Sequence, residues 1–241
     1  MEPERKLRTS PSLTFPGGGG INVSRVAKVL GGIGISIFTA GRATGQLLRE
    51  LVDQHGLLTR VVPISGWTRV STTAFERSTG QEYRITPPGP ELIAGEWEAC
   101  LGAALEFESS YIVATGSLPR GVPADFYARL AHEAKRRSRR VVLDCSGDAL
   151  KLALDEGVYA VKPNARELRT LFGRMDDDAP DALEQMAGEL VATGKAEIVA
   201  VSMGAEGALL CGSGGSLRIA TPKVEVKSAV GAGDSFVGGM I

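Results

Sequence analysis

Beyond residue 90 the chain alternates segments of helical period with short apolar runs, and this order constrains its fold more than any other feature. An amphipathic stretch over 95–107 leads into an apolar run at 111–115, and one over 123–137 leads into 141–144. Another over 148–156 leads into 159–161, and helical patterns at 164–172 and 181–193 precede 198–202. The apolar runs are continuous rather than alternating with polar residues, the pattern of strands covered on both faces. Helices alternating with such strands predict an α/β fold with a parallel sheet sandwiched between helices. A chain of 241 residues, 43% of them hydrophobic, holds one large domain of this kind, alone or with a small accessory piece.

Two regions break the rhythm. Residues 66–86 alternate polar and apolar around Ser78-Thr79-Gly80 and predict an antiparallel hairpin with one solvated face. Residues 1–16 are polar and proline-bounded, and both regions suit a small β appendage. Residues 207–226 read as short strands joined by Gly turns, an antiparallel edge. The basic run 135–140 lies at a helix C-terminus, where cations are favoured, and reads as solvated surface.

Charge excludes several classes of partner. With 27 Lys and Arg against 28 Asp and Glu the net charge is −1, so nothing draws the chain generally to nucleic acid or an acidic membrane. Cys100, Cys145 and Cys211 are far apart and make neither a CxxC pair nor a zinc spacing, as core thiols of a reducing compartment would. The N-terminus is charged from residue 2 and has no signal-peptide run behind it, and the apolar stretches near 33–40 and 198–211 are too short or broken to span a bilayer. A cytoplasmic protein is expected.

Glycine is the compositional outlier, 31 residues or nearly twice the usual share, and it is clustered at 17–20, 31–32, 231–233 and 238–239. Clusters just before helical segments suit loops that bring backbone N–H groups to an anion. In Val230-Gly231-Ala232-Gly233-Asp234-Ser235 the small residues open a helix whose N-terminus favours negative charge. Asp234 is there either as an N-terminal cap or as a base beside an anion hole. Phe15-Pro16-Gly17-Gly18-Gly19-Gly20-Ile21-Asn22 precedes a helix over 23–30 and lacks the Lys-Ser/Thr ending of a P-loop. It is either a flexible loop or a close-approach site in which Asn22 bonds a sugar hydroxyl or phosphate. In Lys162-Pro163-Asn164-Ala165-Arg166-Glu167, Asn164 and Glu167 have capping-box spacing, and they also stand where ligands bind in open α/β sheets, suited to hold magnesium through water. Ser202-Met203-Gly204-Ala205-Glu206-Gly207 is a turn or a nucleotide cradle.

In this order the four motifs resemble the PfkB, or ribokinase-like, carbohydrate kinases, and most nearly the ATP-dependent 6-phosphofructokinases of that family. The closer match lies in Lys6-Leu7-Arg8, residues 16–22, Trp67-Thr68-Arg69, Gly116-Ser117-Leu118-Pro119 and Ser228-Ala229-Val230. Related 1-phosphofructokinases and tagatose-6-phosphate kinases often carry Lys where Gly19 stands. The resemblance implies one ribokinase-like three-layer α/β/α domain over 1–241, mainly parallel, with lid segments at about 1–15 and 64–88. It implies Asp234 as the base that takes the hydroxyl proton, and Gly231, Ala232 and Gly233 as the hole for the transferred phosphoryl group. Gly18, Gly19, Gly20, Ile21 and Asn22 match the sugar loop, and Arg69 and Ser117 match contacts to the sugar phosphate. Lys162, Asn164 and Glu167 match the nucleotide–magnesium region, and Ser202, Gly204 and Gly207 match the nucleotide cradle. Lys6 matches a lid residue reaching a neighbouring subunit's nucleotide, which implies a homodimer through the β lid. The carbonyls of Ser228 and Val230 match a K⁺ site. ATP, magnesium and a small sugar phosphate are the implied cofactors and substrate. The family places a strand with a sugar-binding Asp before the Lys6 segment and more helix after the GAGD motif, so the chain reads as an internal fragment of a longer kinase. The rivals are a kinase of fructose 1-phosphate or tagatose 6-phosphate, and a catalytically inactive sugar-binding relative.

Overall fold

The structure, a computed structural model, describes residues 9–177, 179–224 and 230–241. Helix α1 (Gly19–Val29) is followed by a β1–α2–β2 unit, Ile35–Ala40, Arg42–Gln54 and Leu58–Pro63. The expected hairpin is β3 (Thr72–Glu76) with β4 (Gln81–Ile85), paired antiparallel. Then come α3 (Ala94–Glu106), β5 (Tyr111–Thr115), α4 (Phe126–Arg136), β6 (Arg140–Asp144), α5 (Gly147–Glu156) and β7 (Val158–Val161). The chain continues through α6 (Ala165–Phe172), α7 (Ala182–Ala192), β8 (Ala196–Ser202), β9 (Ala208–Gly212), β10 (Gly215–Ile219) and α8 (Ala232–Met240).

Six strands form the main sheet in the order β10-β9-β8-β7-β6-β5. Strands β5 to β8 run parallel, and β9 and β10 add antiparallel at one edge. Side-chain alternation splits the core into two layers. Leu143, Val161, Val199 and Val201 pack with α4–α7 residues such as Leu150, Leu154, Leu168 and Met186. Val142 and Ala160, of opposite parity, face Val23 of α1 and Val237 of α8. The result is the mostly parallel three-layer α/β/α sandwich that the strand pattern predicts. Leu143, Leu150, Leu154 and Leu168 are fully enclosed, so trimming any one to Ala costs about 2–5 kcal/mol.

The β1–α2–β2 unit is absent from the sequence reading. Its strands pair parallel with each other in a separate two-stranded sheet. Ser36 and Thr39 interrupt β1 and Arg60 interrupts β2, so neither presents the continuous apolar run by which the other parallel strands are recognised. The basic run 135–140 is exposed as expected, with only Arg139 half-buried, and it is also tied to the body. Arg137 and Arg139 both donate to the carbonyl of Leu105, and Arg140 lies 4.9 Å from the ring centre of Tyr159. Among the described residues no helix is long and apolar enough to cross a membrane.

Two expectations follow from the packing. Burial, with the charge of Asp144 adding to it, pushes the Cys145 thiol up to about 12. At pH 8 its native alkylation rate should therefore fall about a thousandfold below that of a free thiol, since the thiolate is the reactive form. Timed alkylation with peptide mapping checks this, and native labelling as fast as in denaturant contradicts it. Helix α8 also lies directly on α1. A Cβ at Gly238 would stand 2.8 Å from Val26 Cβ and 3.1 Å from the carbonyl oxygen of Val23. Gly238→Leu should overpack this contact by about 1–3 kcal/mol and lower Tm by several degrees. An unchanged melting curve contradicts it.

Candidate active site

The C-terminal ends of the parallel strands and the N-termini of α1, α6 and α8 meet on one side of the sandwich. Gly231 caps α8 at φ 78, a left-handed conformation that disfavours any side chain. The first bond of that helix runs from the Ser235 N–H to the Gly231 carbonyl, so the N–H groups of Ala232, Gly233 and Asp234 have no acceptor within the helix. Gly18 caps α1 at φ 119, and the Asn22 N–H closes its first turn on the Gly18 carbonyl. Helix α1 therefore starts at Gly19, earlier than the expected 23–30. Gly19, Gly20, Ile21 and Asn22 form its first turn rather than a loop.

The two helix starts touch through their side chains. Asn22 Nδ2 donates to Asp234 Oδ2 at 2.8 Å, joining residues 212 positions apart. A Cβ on Gly19 would lie 3.0 Å from Asp234 Oδ1 and only 1.9 Å from Thr115 Oγ1, at the end of β5. Thr115 Oγ1 is itself buried with no hydrogen-bond partner among the described residues. Asp234 is thus fixed between two positive helix ends, with Asn22 holding one of its oxygens. The amide of Asn22, expected to meet a ligand, instead spends a donor on the carboxylate.

Beneath the glycine turn lies a buried ion pair that sequence reasoning missed. Lys162 Nζ is 3.1 Å from Asp144 Oδ1, and Lys162 is only 5% exposed. A Cβ on Gly233 would sit 3.6 Å from Lys162 Nζ and 3.9 Å from Asp144 Oδ2, so both groups lie just under the turn. Burial raises the Asp144 carboxyl above the ordinary carboxylate range. Lys162 opposes that shift, and the charges of Glu167 and Asp234 add to it. The signal for Asp144 was an acidic residue ending an apolar strand at the ligand-binding edge of a parallel sheet.

Asn164 and Glu167 form the full capping box. Asn164 Oδ1 accepts from the Glu167 N–H, and Glu167 Oε2 accepts from the Asn164 N–H, both at 2.8 Å. Among the described residues no three His, Cys, Asp or Glu side chains stand close enough to cage a metal directly. The charges of Glu167 and Asp234 both act on Asp144, and Lys162 is the cation that already opposes them there. The donor set fits a magnesium ion that keeps much of its water shell.

Two cavities open here. A cleft of about 2300 Å³ is lined by Gly18, Gly19, Asn22, Arg69, Ser117 and Gly231, so it brings the expected sugar contacts together; of the expected phosphoryl contacts, Gly231 lines it and Ala232, Gly233 and Asp234 do not. Hairpin residues Thr72–Glu76 and the extended residues 9–16, which join no strand, also border it. A smaller cavity of about 310 Å³ is bounded by Asn164, Arg166, Arg169, Ser202, Gly204 and Glu206. Gly207 does not line it. Its φ of 97 and the Ile219 carbonyl oxygen, 1.9 Å from a would-be Cβ, give this glycine a packing reason in the β9–β10 hairpin. Gly20 has open space at its Cβ position, so nothing in its packing requires glycine. Val230 is exposed just before the turn. The expected lid contact Lys6 and the expected cation ligand Ser228 lie outside the described residues.

The model of the pfkB family of carbohydrate kinases matches residues 3–241. The ATP-dependent 6-phosphofructokinase isozyme 2 of Mycobacterium tuberculosis is 42% identical, over 98% of this chain and 70% of its own length. The enzyme of the same name from Escherichia coli K12 is 40% identical, over 99% of this chain and 77% of its own length. The crystal structure of phosphofructokinase-2 from Escherichia coli in complex with fructose-6-phosphate superposes with a TM-score of 0.94 at 39% identity, covering 100% of this chain and 79% of that one. A complex of that protein with potassium matches equally well.

Proposed function

Because the chain belongs to the pfkB family of carbohydrate kinases, we propose that it transfers the γ-phosphoryl group of ATP to a hydroxyl of fructose 6-phosphate, a step of glycolysis. The observation that carries this reading is Asp234, held by Asn22 at a helix N-terminus, where Asn22 and the neighbouring Gly231 and Ser235 line the same cleft as Arg69 and Ser117.

Asp234 takes the proton as the sugar hydroxyl oxygen bonds to the γ-phosphorus. The bond from that phosphorus to the bridging oxygen breaks, and ADP leaves with its electron pair. Asn22 keeps the carboxylate turned toward the sugar. The N–H groups of Ala232, Gly233 and Asp234 receive the charge on the transferred oxygens, and in-line positioning supplies most of the rest. Lys162, aimed by its ion pair with Asp144, stands beneath the same turn as a positive partner for the phosphates. Glu167 and Asn164 would hold a magnesium ion through its water shell, and that ion would supply neutralisation of phosphate charge. Ser202 and Gly204 border the nucleotide. Arg69 gives a bidentate contact to the sugar phosphate and Ser117 a hydroxyl. The absence of room for a side chain at Gly19 supports fructose 6-phosphate over sugars whose kinases carry Lys there. The exposed apolar side chains Phe75 and Ile85 on the hairpin support a homodimer through that lid, where Lys6 of one subunit would serve the other. The carbonyls of Ser228 and Val230 would hold K⁺.

An ADP-coupled assay with magnesium and K⁺, comparing fructose 6-phosphate, fructose 1-phosphate, tagatose 6-phosphate and unphosphorylated fructose, tests the substrate. The highest kcat/KM is expected for fructose 6-phosphate. A higher value for another sugar overturns the choice.

A further inference from the structure

The segment that carries Arg69 is gripped at its root from both sides. The Ser65 N–H donates to Glu96 Oε1 at 2.6 Å, and the Ser65 carbonyl accepts from Arg42 Nε at 2.6 Å. Glu96 is a buried residue of α3, and its second oxygen accepts from the Ile93 N–H at 3.1 Å, so both carboxylate oxygens are committed. Burial would raise this carboxyl, but the two backbone N–H groups outweigh it and hold the group below its ordinary range. Arg42 sits at φ 59, a left-handed conformation that an arginine keeps only where its surroundings enforce it. Three residues on, the Gly41 N–H donates to Thr68 Oγ1 at 2.9 Å and the Thr68 N–H donates to the Gly41 carbonyl at 3.2 Å. A Cβ on Gly41 would meet the Gly66 carbonyl oxygen at 2.2 Å, so the strand end and this segment lie backbone to backbone. The next residue, Arg69, is exposed and borders the cleft.

We propose that Glu96 is a positioning residue, which with Arg42 clamps the Ser65 peptide so that Arg69 is presented to the phosphate of the sugar substrate. This deepens the sugar-phosphate kinase reading and rests on it. Two oxygens acting as acceptors are needed, and a glutamine in this place offers one acceptor and turns an NH₂ group against a backbone N–H.

The test uses Glu96→Gln, Glu96→Asp, Arg69→Ala and the double variant E96Q/R69A in the full chain. Glu96→Gln should raise KM for fructose 6-phosphate about tenfold, the usual weight of a lost charge-assisted hydrogen bond, with kcat and KM for ATP within about twofold. In the Arg69→Ala background the same change should add almost nothing to KM, because the effect passes through Arg69. An equal KM increase in both backgrounds overturns the proposal, as does a fall in kcat that matches a fall in melting temperature. Glu96→Asp should fall between Glu96→Gln and the unchanged chain. Hydrogen exchange of the Ser65–Arg69 amides reads the clamp without turnover. It should quicken in Glu96→Gln, and unchanged exchange overturns the proposal. A chain that fails to phosphorylate any sugar phosphate while exchange still quickens defeats the kinase reading and leaves the clamp standing.

Discussion

Asp234→Asn lowers turnover by about two to four orders of magnitude, the usual worth of a general base, while changing sugar binding much less. The substitution is isosteric and keeps an oxygen for Asn22 Nδ2, now 2.8 Å from Asp234 Oδ2. The helix start at Gly231 is untouched, and Val237 and Gly238 remain packed on α1. What disappears is the group that accepts the hydroxyl proton as the oxygen–phosphorus bond forms. Steady-state kcat and sugar KM, with a melting curve to establish folding, measure the effect. A folded Asp234→Asn variant with near-normal kcat removes Asp234 from the mechanism.

Gly19→Ala should be almost as damaging, for a steric reason. The new Cβ would fall 1.9 Å from Thr115 Oγ1, 2.9 Å from Thr115 Cβ and 3.0 Å from Asp234 Oδ1. Thr115 belongs to β5, which the main sheet holds in register against β6, so the relief must come from α1 moving away. That shift costs about 1–3 kcal/mol of stability and carries Asn22 away from Asp234. A displacement of about 1 Å at a reacting group is worth on the order of a hundredfold in rate. Thr115→Ala in the same chain removes the nearest atom and should restore part of both losses. Paired melting curves and kcat/KM values check the sequence of effects. An unaltered Tm and kcat/KM in Gly19→Ala contradict the packing described here.

The sandwich was readable because β5 to β8 are buried on both faces, and strands of that kind write themselves as unbroken apolar runs. The β1–α2–β2 unit was not, because its polar interruptions mask the run and, among the described residues, its two strands pair only with each other. The motif residues around the glycines were legible because backbone that turns sharply or admits an anion demands small side chains. Their mutual arrangement was not. Nothing local announces that Asn22 bonds Asp234 across 212 positions, or that Lys162 is buried on Asp144. The spacing of Asn164 and Glu167 suits both a capping box and a ligand site and does not separate them; the capping box is what their hydrogen bonds show. Gly207 carries a second reason that the sequence hides, a glycine in a ligand-like turn that also packs against the Ile219 carbonyl. Glu96 gave no signal, since a glutamate at the third position of a helix is ordinary capping until the strand end it holds is known.

Transfer of label from γ-³²P-ATP, followed in one turnover with the chain in excess over nucleotide, asks the central question most directly. With magnesium, K⁺ and fructose 6-phosphate present, the label should appear in a sugar bisphosphate, and in the Asp234→Asn variant it should remain in ATP over the same interval. Label that passes only to inorganic phosphate, or reaches the sugar equally fast without the carboxylate, contradicts the account.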